Sequence, residues 1–420
     1  MFVLIPLVLG QVLHDGRNMS WYAPNSEHLI NRLFPTPLVL CDAPGLPPRS
    51  TAEAPRHAIA GLADGYNVKA LVPLVESVRQ VMSPQTTDLV LLTNKGSDGE
   101  FKDFATKHSL TIVPFLRAPA ELKTNHGPLL AHLVVFRFRY YEAIARTQCH
   151  QGLLLVDMRD IFFQRNVFTE APSSWWVNSI VVTLEGIRKY SANGGVAMET
   201  HNLLANPEHQ LHMNMLKCML SSKALATLRT NETMACSGVL GGGGPALRHF
   251  LGQYNALAVA LFSNLPVSPA FAWHRKHAAV AEVPKCQLWI PDQMLLNYMT
   301  YNNLHAPRGL VLSRNEDGPI FHERKELIRK HCDVPPTVMN EDRTRVAAVV
   351  HHIDRSPDLM AYWHPVMNGH KQLDWSRGGG GGGGTRGCQG NVPMPSGRAG
   401  GSAARHPAYS QHLVNLRGRG

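Results

Sequence analysis

The sequence predicts an α/β domain built on a mixed, mainly parallel sheet flanked by helices. Three observations predict it: continuous apolar runs at 88–93, 110–115 and 153–156, amphipathic stretches between them, and the last run ending in Asp157, Arg159 and Asp160. Parallel strands covered on both faces read as unbroken apolar runs rather than as alternation. Strands that alternate with helices imply right-handed βαβ units.

The chain opens with an apolar stretch, Phe2 to Gly10, but Gln11, His14, Asp15 and Arg17 follow soon after it. A membrane-spanning helix needs roughly 20 apolar residues. Residues 1–20 therefore read as a secretory signal or clipped signal anchor, which would attach the protein to a membrane, or as a buried segment. The first reading lacks its basic n-region. Sequons at Asn18 and Asn231 suit the lumen of the Golgi or endoplasmic reticulum. Residues 21–58 hold seven prolines between Pro24 and Pro55 and read as a linker or stem. The folded domain is expected over 59–376.

Within it, Leu71, Leu74, Val75, Val78, Val81 and Met82 recur at three- and four-residue intervals, predicting a helix over 69–82 with one buried face. A strand at 88–93, a helix at 101–108 and a strand at 110–115 follow. A long helix over 129–146 turns Leu130, Leu133, Val134, Phe138, Tyr141 and Ile144 inward and feeds the strand at 153–156. Later strands are expected at 178–184, 237–240, 309–312 and 345–350, and helices at 245–262 and 292–301. Residues 377–420 include seven consecutive glycines (378–384) and cannot bury enough apolar surface to offset chain entropy, so they read as a disordered tail.

A formal charge of +10 suggests nucleic-acid binding until it is located. Six arginines and no acidic residue lie in 377–420, so the other 376 residues carry only +4. With no repeated RGG spacing either, no nucleic-acid partner is expected. The seven cysteines show no CxxC or short Cys/His spacing, which weighs against a structural zinc site or a dense disulfide framework.

The chemistry is concentrated in Gly152 to Gln164, where a buried strand gives way to two carboxylates and a guanidinium. Ligands of open α/β sheets bind beyond the carboxyl ends of strands. Carboxylates cannot hold a diphosphate directly, but they hold a hard cation, Mn²⁺ or Mg²⁺, that bridges to it. Asp157 and Asp160 converge only if the chain turns between them. The bland alternative is a solvated strand end in which Asp160 pairs with a neighbouring cation. Gly241 to Gly244 before a helix offer a second candidate phosphate cradle, without the GxxxxGK[ST] pattern. His322-Glu323 lacks the second histidine of a zinc-protease helix, because position 326 is Glu.

The segment L-L-L-V-D-M-R-D-I-F-F-Q resembles the metal-binding strand of a family of nucleotide-diphospho-sugar transferases, the GT-A glycosyltransferases. Four further stretches fit in the same order: Arg137 to Tyr141, Cys236 to Gly241, Pro291 to Asn297, and Val349 to Arg355. The resemblance implies a GT-A fold and transfer of a sugar from a nucleotide-sugar, expected to be a UDP-sugar, to a glycan or other hydroxyl-bearing acceptor. It also implies roles: Asp157, Asp160 and His351 would hold the metal, and Asp157 would also face the ribose. Asn67 would lie at the base end of the donor site. Ser237 and Gly238 would line the sugar pocket, and Arg137 and Arg159 would assist at the phosphates. Asp292 would orient the acceptor or act as general base, where the residue reading alone gives a helix N-cap. The chain departs from the family in placing Arg159 where D-x-D has its second Asp, and Cys236 where N-S-G has Asn. The alternative function is an inactive carbohydrate- or nucleotide-binding module; a nucleotidyltransferase ranks lower.

Overall fold

A computed structural model describes residues 57–115, 133–199, 233–262, 291–301, 309–322 and 338–368, apart from 97, 148, 186, 191–195, 316–317, 339 and 341–344. The N-terminal segment, the glycine-rich tail, both sequons and the start of the helix expected from 129 lie outside the described residues.

Seven strands form the main sheet: β1 (His57–Leu62), β2 (Thr87–Thr93), β3 (Leu110–Pro114), β4 (Gly152–Val156), β6 (Ser179–Leu184), β9 (Ala235–Gly243) and β10 (Gly309–Ser313). Their spatial order is β10-β6-β9-β4-β1-β2-β3. Only the two pairings of β9, with β4 and with β6, are antiparallel. The other four are parallel, so the sheet is mixed and mainly parallel, as the sequence implied. A smaller sheet joins β5 (Ile161–Phe163), β11 (Ile320–His322) and β12 (Val349–His351). A hairpin, β7 (Ile187–Tyr190) with β8 (Val196–Glu199), stands apart.

Helices cover both faces of the large sheet. On one side α3 (Leu133–Arg146), α5 (Gly244–Phe262) and α6 (Pro291–Tyr301) pack through Phe138, Tyr254, Leu295 and Met299 against Ala58, Leu153 and Leu240. On the other, α1 (Val68–Val81) and α2 (Gly99–Lys107) pack through Leu71, Leu74, Val78 and Phe101 against Ile59, Leu89 and Leu154. Two short elements, α4 (Val167–Glu170) and a 3₁₀ turn at Ser173–Trp176, close the edge of this face. A third cluster lies between the small sheet and α7 (Pro357–Met367), centred on Phe162, Val350 and Trp363.

Several elements differ from the sequence reading. β1, β5, β7, β8, β11, α4 and α7 were not expected; β1 runs through Ala58, Ala60 and Gly61, which carry little strand signal. Gly61 is needed there, because a Cβ would stand 2.3 Å from the Val156 carbonyl oxygen. β9 runs on through Gly241, Gly242 and Gly243 rather than stopping at 240. A Cβ would lie 2.2 Å from the Ser179 carbonyl oxygen at Gly242, whose φ is +146°, and 2.1 Å from that of Val177 at Gly243. These glycines serve close strand packing rather than a phosphate cradle. The strand expected at 345–350 is confined to Val349–His351.

Candidate metal and donor site

The site lies where β4 ends. The Asp157 amide donates to the Gly238 carbonyl oxygen at 2.8 Å, which carries the antiparallel pairing of β4 and β9 one residue past the strand. The chain then turns through Met158 to Asp160 and enters β5. β12 pairs antiparallel with β5 in a register that sets His351 opposite Ile161, beside Asp160. The turn brings each carboxylate to the same imidazole: His351 Nε2 lies 3.5 Å from an Asp160 oxygen and 3.8 Å from Asp157 Oδ2.

Asp160, His351 and His352 bring ligand atoms within 4.8 Å of one another, and Asp157 Oδ2 stands 3.8 Å from His351 Nε2, a group of donors that could hold a divalent cation. His351 is fully buried, and its Nε2 faces both carboxylates without a hydrogen bond. Two carboxylate oxygens and an imidazole nitrogen form a mixed O/N donor set that Mn²⁺ accepts readily. Gly238 makes the approach possible: a Cβ there would lie 2.7 Å from His351 Nε2 and 2.8 Å from Asp157 Oδ2. Burial alone would lower the His351 pKa, but Asp160 and further polar neighbours outweigh it and hold it well above the usual histidine range.

Behind Asp157 stands a guanidinium. Arg137 is fixed on α3 between two carboxylates, pairing with Asp157 and, at 2.9 Å, with Asp292 Oδ2; it also donates to the Ser237 carbonyl oxygen at 3.3 Å. Burial favours the neutral form of Asp157, yet Arg137 and then His351 outweigh it and hold this carboxyl well below the ordinary range. Its side chain is 37% exposed, so one edge faces solvent. Asp292 is 1% exposed, and burial pushes its carboxyl up against the opposing pull of Arg137 and Ser237. It occupies the first turn of α6, after Pro291, and is not a cap.

Four expected residues sit elsewhere than, or differently from, their implied roles. Arg159 is 56% exposed and pairs with Asp354 at 3.0 Å rather than turning toward Asp157. Arg137 is held by two carboxylates. Asp292 is closed off by Arg137, so reaching an acceptor hydroxyl requires that pair to open. Asn67 caps α1, its side chain accepting from the Ala70 amide at 3.0 Å. Sequence reasoning passed over Tyr66, whose pKa is raised by burial and then by Asp157, and His322, whose Nδ1 lies 2.9 Å from His351 Nδ1. A pairing between residues 322 and 351 depends on strand register and leaves no local motif.

No protein-family model matches the chain and no curated protein is similar to it in sequence. Solved structures similar to it include the galactosyltransferase LgtC in complex with donor and acceptor sugar analogues, at 10% identity over 76% of this chain and 98% of that one, TM-score 0.38. Another is 4-diphosphocytidyl-2C-methyl-D-erythritol synthase from Anaerococcus prevotii DSM 20548, at 10% identity over 62% and 90%, TM-score 0.31. A third is core-mannan synthase A from Aspergillus fumigatus in an Mn/GDP form, at 10% identity over 52% and 69%, TM-score 0.29. With scores this low, the functional reading rests on the chain's own residues. Among the described residues no helix is long and apolar enough to cross a membrane.

Proposed function

We propose that this protein is a metal-dependent glycosyltransferase of the GT-A kind, moving a sugar from a nucleoside-diphosphate sugar, with UDP the expected carrier, to a hydroxyl-bearing acceptor. The observation that carries the reading is the convergence of Asp157, Asp160 and His351 Nε2 beyond the carboxyl end of β4. Bound there, Mn²⁺ or Mg²⁺ would offset the charge that develops on the departing diphosphate.

The protein's own residues do the rest. Asp160, in the turn just before β5, and His351, ending β12, present donors whose spacing the β5–β12 register helps fix, and Asp157 offers Oδ2 while Arg137 holds its other oxygen. Arg137, anchored by Asp292, keeps Asp157 ionised and aimed outward. Ser237 and Gly238 form the wall beside them and would face the sugar. Tyr66, close to Asp157 and Asp160, and Asn67, which caps α1, would take the base end of a donor. Asp292 reaches an acceptor only after releasing Arg137, so the geometry favours a positioning role over that of a base in the closed site. Arg159, exposed beside Asp354, can reach a phosphate only by leaving that partner.

The test is Mn²⁺-dependent breakdown of a panel of nucleotide-sugars by the purified full chain, compared with Asp160→Asn. Turnover lost in Asp160→Asn at unchanged thermal stability supports the reading. Donor binding without turnover across a broad acceptor panel would instead establish an inactive binding module. The two sequons motivate placing the protein in the secretory lumen, tested by whether a glycosidase shifts the cellular protein's mobility.

A further inference from the structure

On the far side of the His351 ring from the acidic pair lies a second donor set. His351 Nδ1 is 2.9 Å from His322 Nδ1 and 3.7 Å from Cys236 Sγ. The three side chains are all buried, at 2% exposure for Cys236 and 0% for both histidines, and their ligand atoms lie within 4.8 Å of one another. Each stands on a different strand: Cys236 on β9 of the large sheet, His322 and His351 in register on β11 and β12 of the small one. Glu185 and His352 also bring ligand atoms within 4.8 Å of one on Cys236.

We propose that Cys236, His322 and His351 form a site for a Zn²⁺-class cation, distinct from the hard-cation site and in competition with it. Thiolate and imidazole are the donors that Zn²⁺ prefers, with Zn–S near 2.3 Å and Zn–N near 2.0–2.1 Å, which sets tetrahedral donor separations of about 3.3–3.6 Å. The observed 2.9 and 3.7 Å bracket that range, so small side-chain shifts suffice. Glu185 or His352 would supply a fourth ligand. Binding releases the thiol proton of Cys236 to solvent and leaves a Zn–S bond, with no change of oxidation state.

The competition follows from the ring itself. A neutral imidazole has one lone pair, and its other nitrogen carries hydrogen. With Nδ1 on Zn²⁺, Nε2 becomes an N–H pointing at Asp157 and Asp160, and it can no longer serve a metal there. With Nδ1–H donated to His322, Nε2 is free to coordinate. One side chain thus selects which of two cations the protein carries.

The proposal concerns the same histidine as the glycosyltransferase reading, but its test does not depend on sugar transfer. Chelator-treated, reduced, full-length protein is titrated with Co²⁺ and followed by absorbance. The expected result is a near-ultraviolet thiolate-to-cobalt charge-transfer band with tetrahedral visible bands, displaced by Zn²⁺, retained in Asp160→Asn and lost in Cys236→Ala and in Cys236→Val. Two apolar variants are used so that at least one refolds, as checked by circular dichroism. By spin resonance, Zn²⁺ should weaken Mn²⁺ binding at least about fivefold in the wild type, reciprocally with the effect of Mn²⁺ on Zn²⁺, and not in a folded Cys236 variant. Absence of the band in wild type, or its persistence in both Cys236 variants, overturns the site. Unchanged Mn²⁺ affinity under saturating Zn²⁺ overturns the competition.

Discussion

Gly238 and His351 are in contact without room for a methyl group between them: a Cβ on residue 238 would stand 2.3 Å from His351 Cε1. The atoms in its way belong to a fully buried ring and to the Asp157 carboxylate, which Arg137 holds by its other oxygen. Gly238→Ala is therefore expected to push the imidazole off the acidic pair. Mn²⁺ affinity should drop by about 10- to 100-fold, the scale seen when ligand orientation is lost. Spin resonance of Mn²⁺ in the presence of the variant measures it; unaltered affinity would show that His351 is not a ligand.

Arg137 joins two carboxylates, one of them fully enclosed. Removing the cation leaves Asp292 as an uncompensated buried charge, which costs about 3–5 kcal/mol. Arg137→Met should lower stability on that scale in denaturant titration, and Arg137→Met combined with Asp292→Asn should recover a large part of it. If the double variant is no more stable than the single one, the guanidinium contributes through packing instead.

Gln164 closes the small sheet to the segment before it. Its side-chain amide donates to the Val338 and Ala347 carbonyl oxygens at 2.9 and 2.8 Å and accepts from the Val338 amide at 2.8 Å. Gln164→Leu orphans buried backbone groups at about 1–3 kcal/mol for each one left unsatisfied. A lower melting temperature is expected, along with faster amide exchange at Val338. Unchanged exchange there would show that the clamp is dispensable.

His57 stacks on Phe168, with ring centroids 4.2 Å apart, and burial, aided by His150, lowers its pKa from 6.5 to about 4. Between these values the unfolded chain takes up a proton that the folded chain refuses, so stability falls as the pH drops through this window. Above pH 6.5 both states are neutral and the effect vanishes. His57→Phe, which keeps a stacked ring, should flatten the loss of melting temperature between pH 6.5 and 4. A profile parallel to wild type would assign the acid sensitivity to other groups.

The strands β2 and β4 were legible because strands covered on both faces must be apolar throughout, the half-buried edge strand β3 because its run is apolar all the same, and α1 because one face alone is buried. β1 was not, since its role demands small residues that carry no strand signature; Gly61 is chosen for the Val156 carbonyl beside it. The glycines of β9 misled for the same reason. At the site, the motifs singled out Asp157, Asp160 and His351; both carboxylates approach the His351 imidazole, and His352, which the motifs did not single out, completes the closer donor group with Asp160 and His351. Asn297, which belongs to the same motif as Asp292, instead bonds both the amide and the carbonyl of Ala235 and fixes the start of β9. The motif alone does not separate these roles. The partners of each charged group, Asp354 for Arg159 and Asp292 for Arg137, come from residues more than 150 positions away and are set by packing.

The small sheet also orders the protein's assembly in time. All seven strands of the large sheet have been made once synthesis passes Ser313, whereas the histidine facing the acidic pair comes from β12, at 349–351. A nascent or prematurely terminated chain ending between 314 and 348 would hold the complete large sheet and both acidic residues, yet lack the imidazole that faces them. The candidate donor set thus comes together only once β12, the last strand among the described residues, has been made.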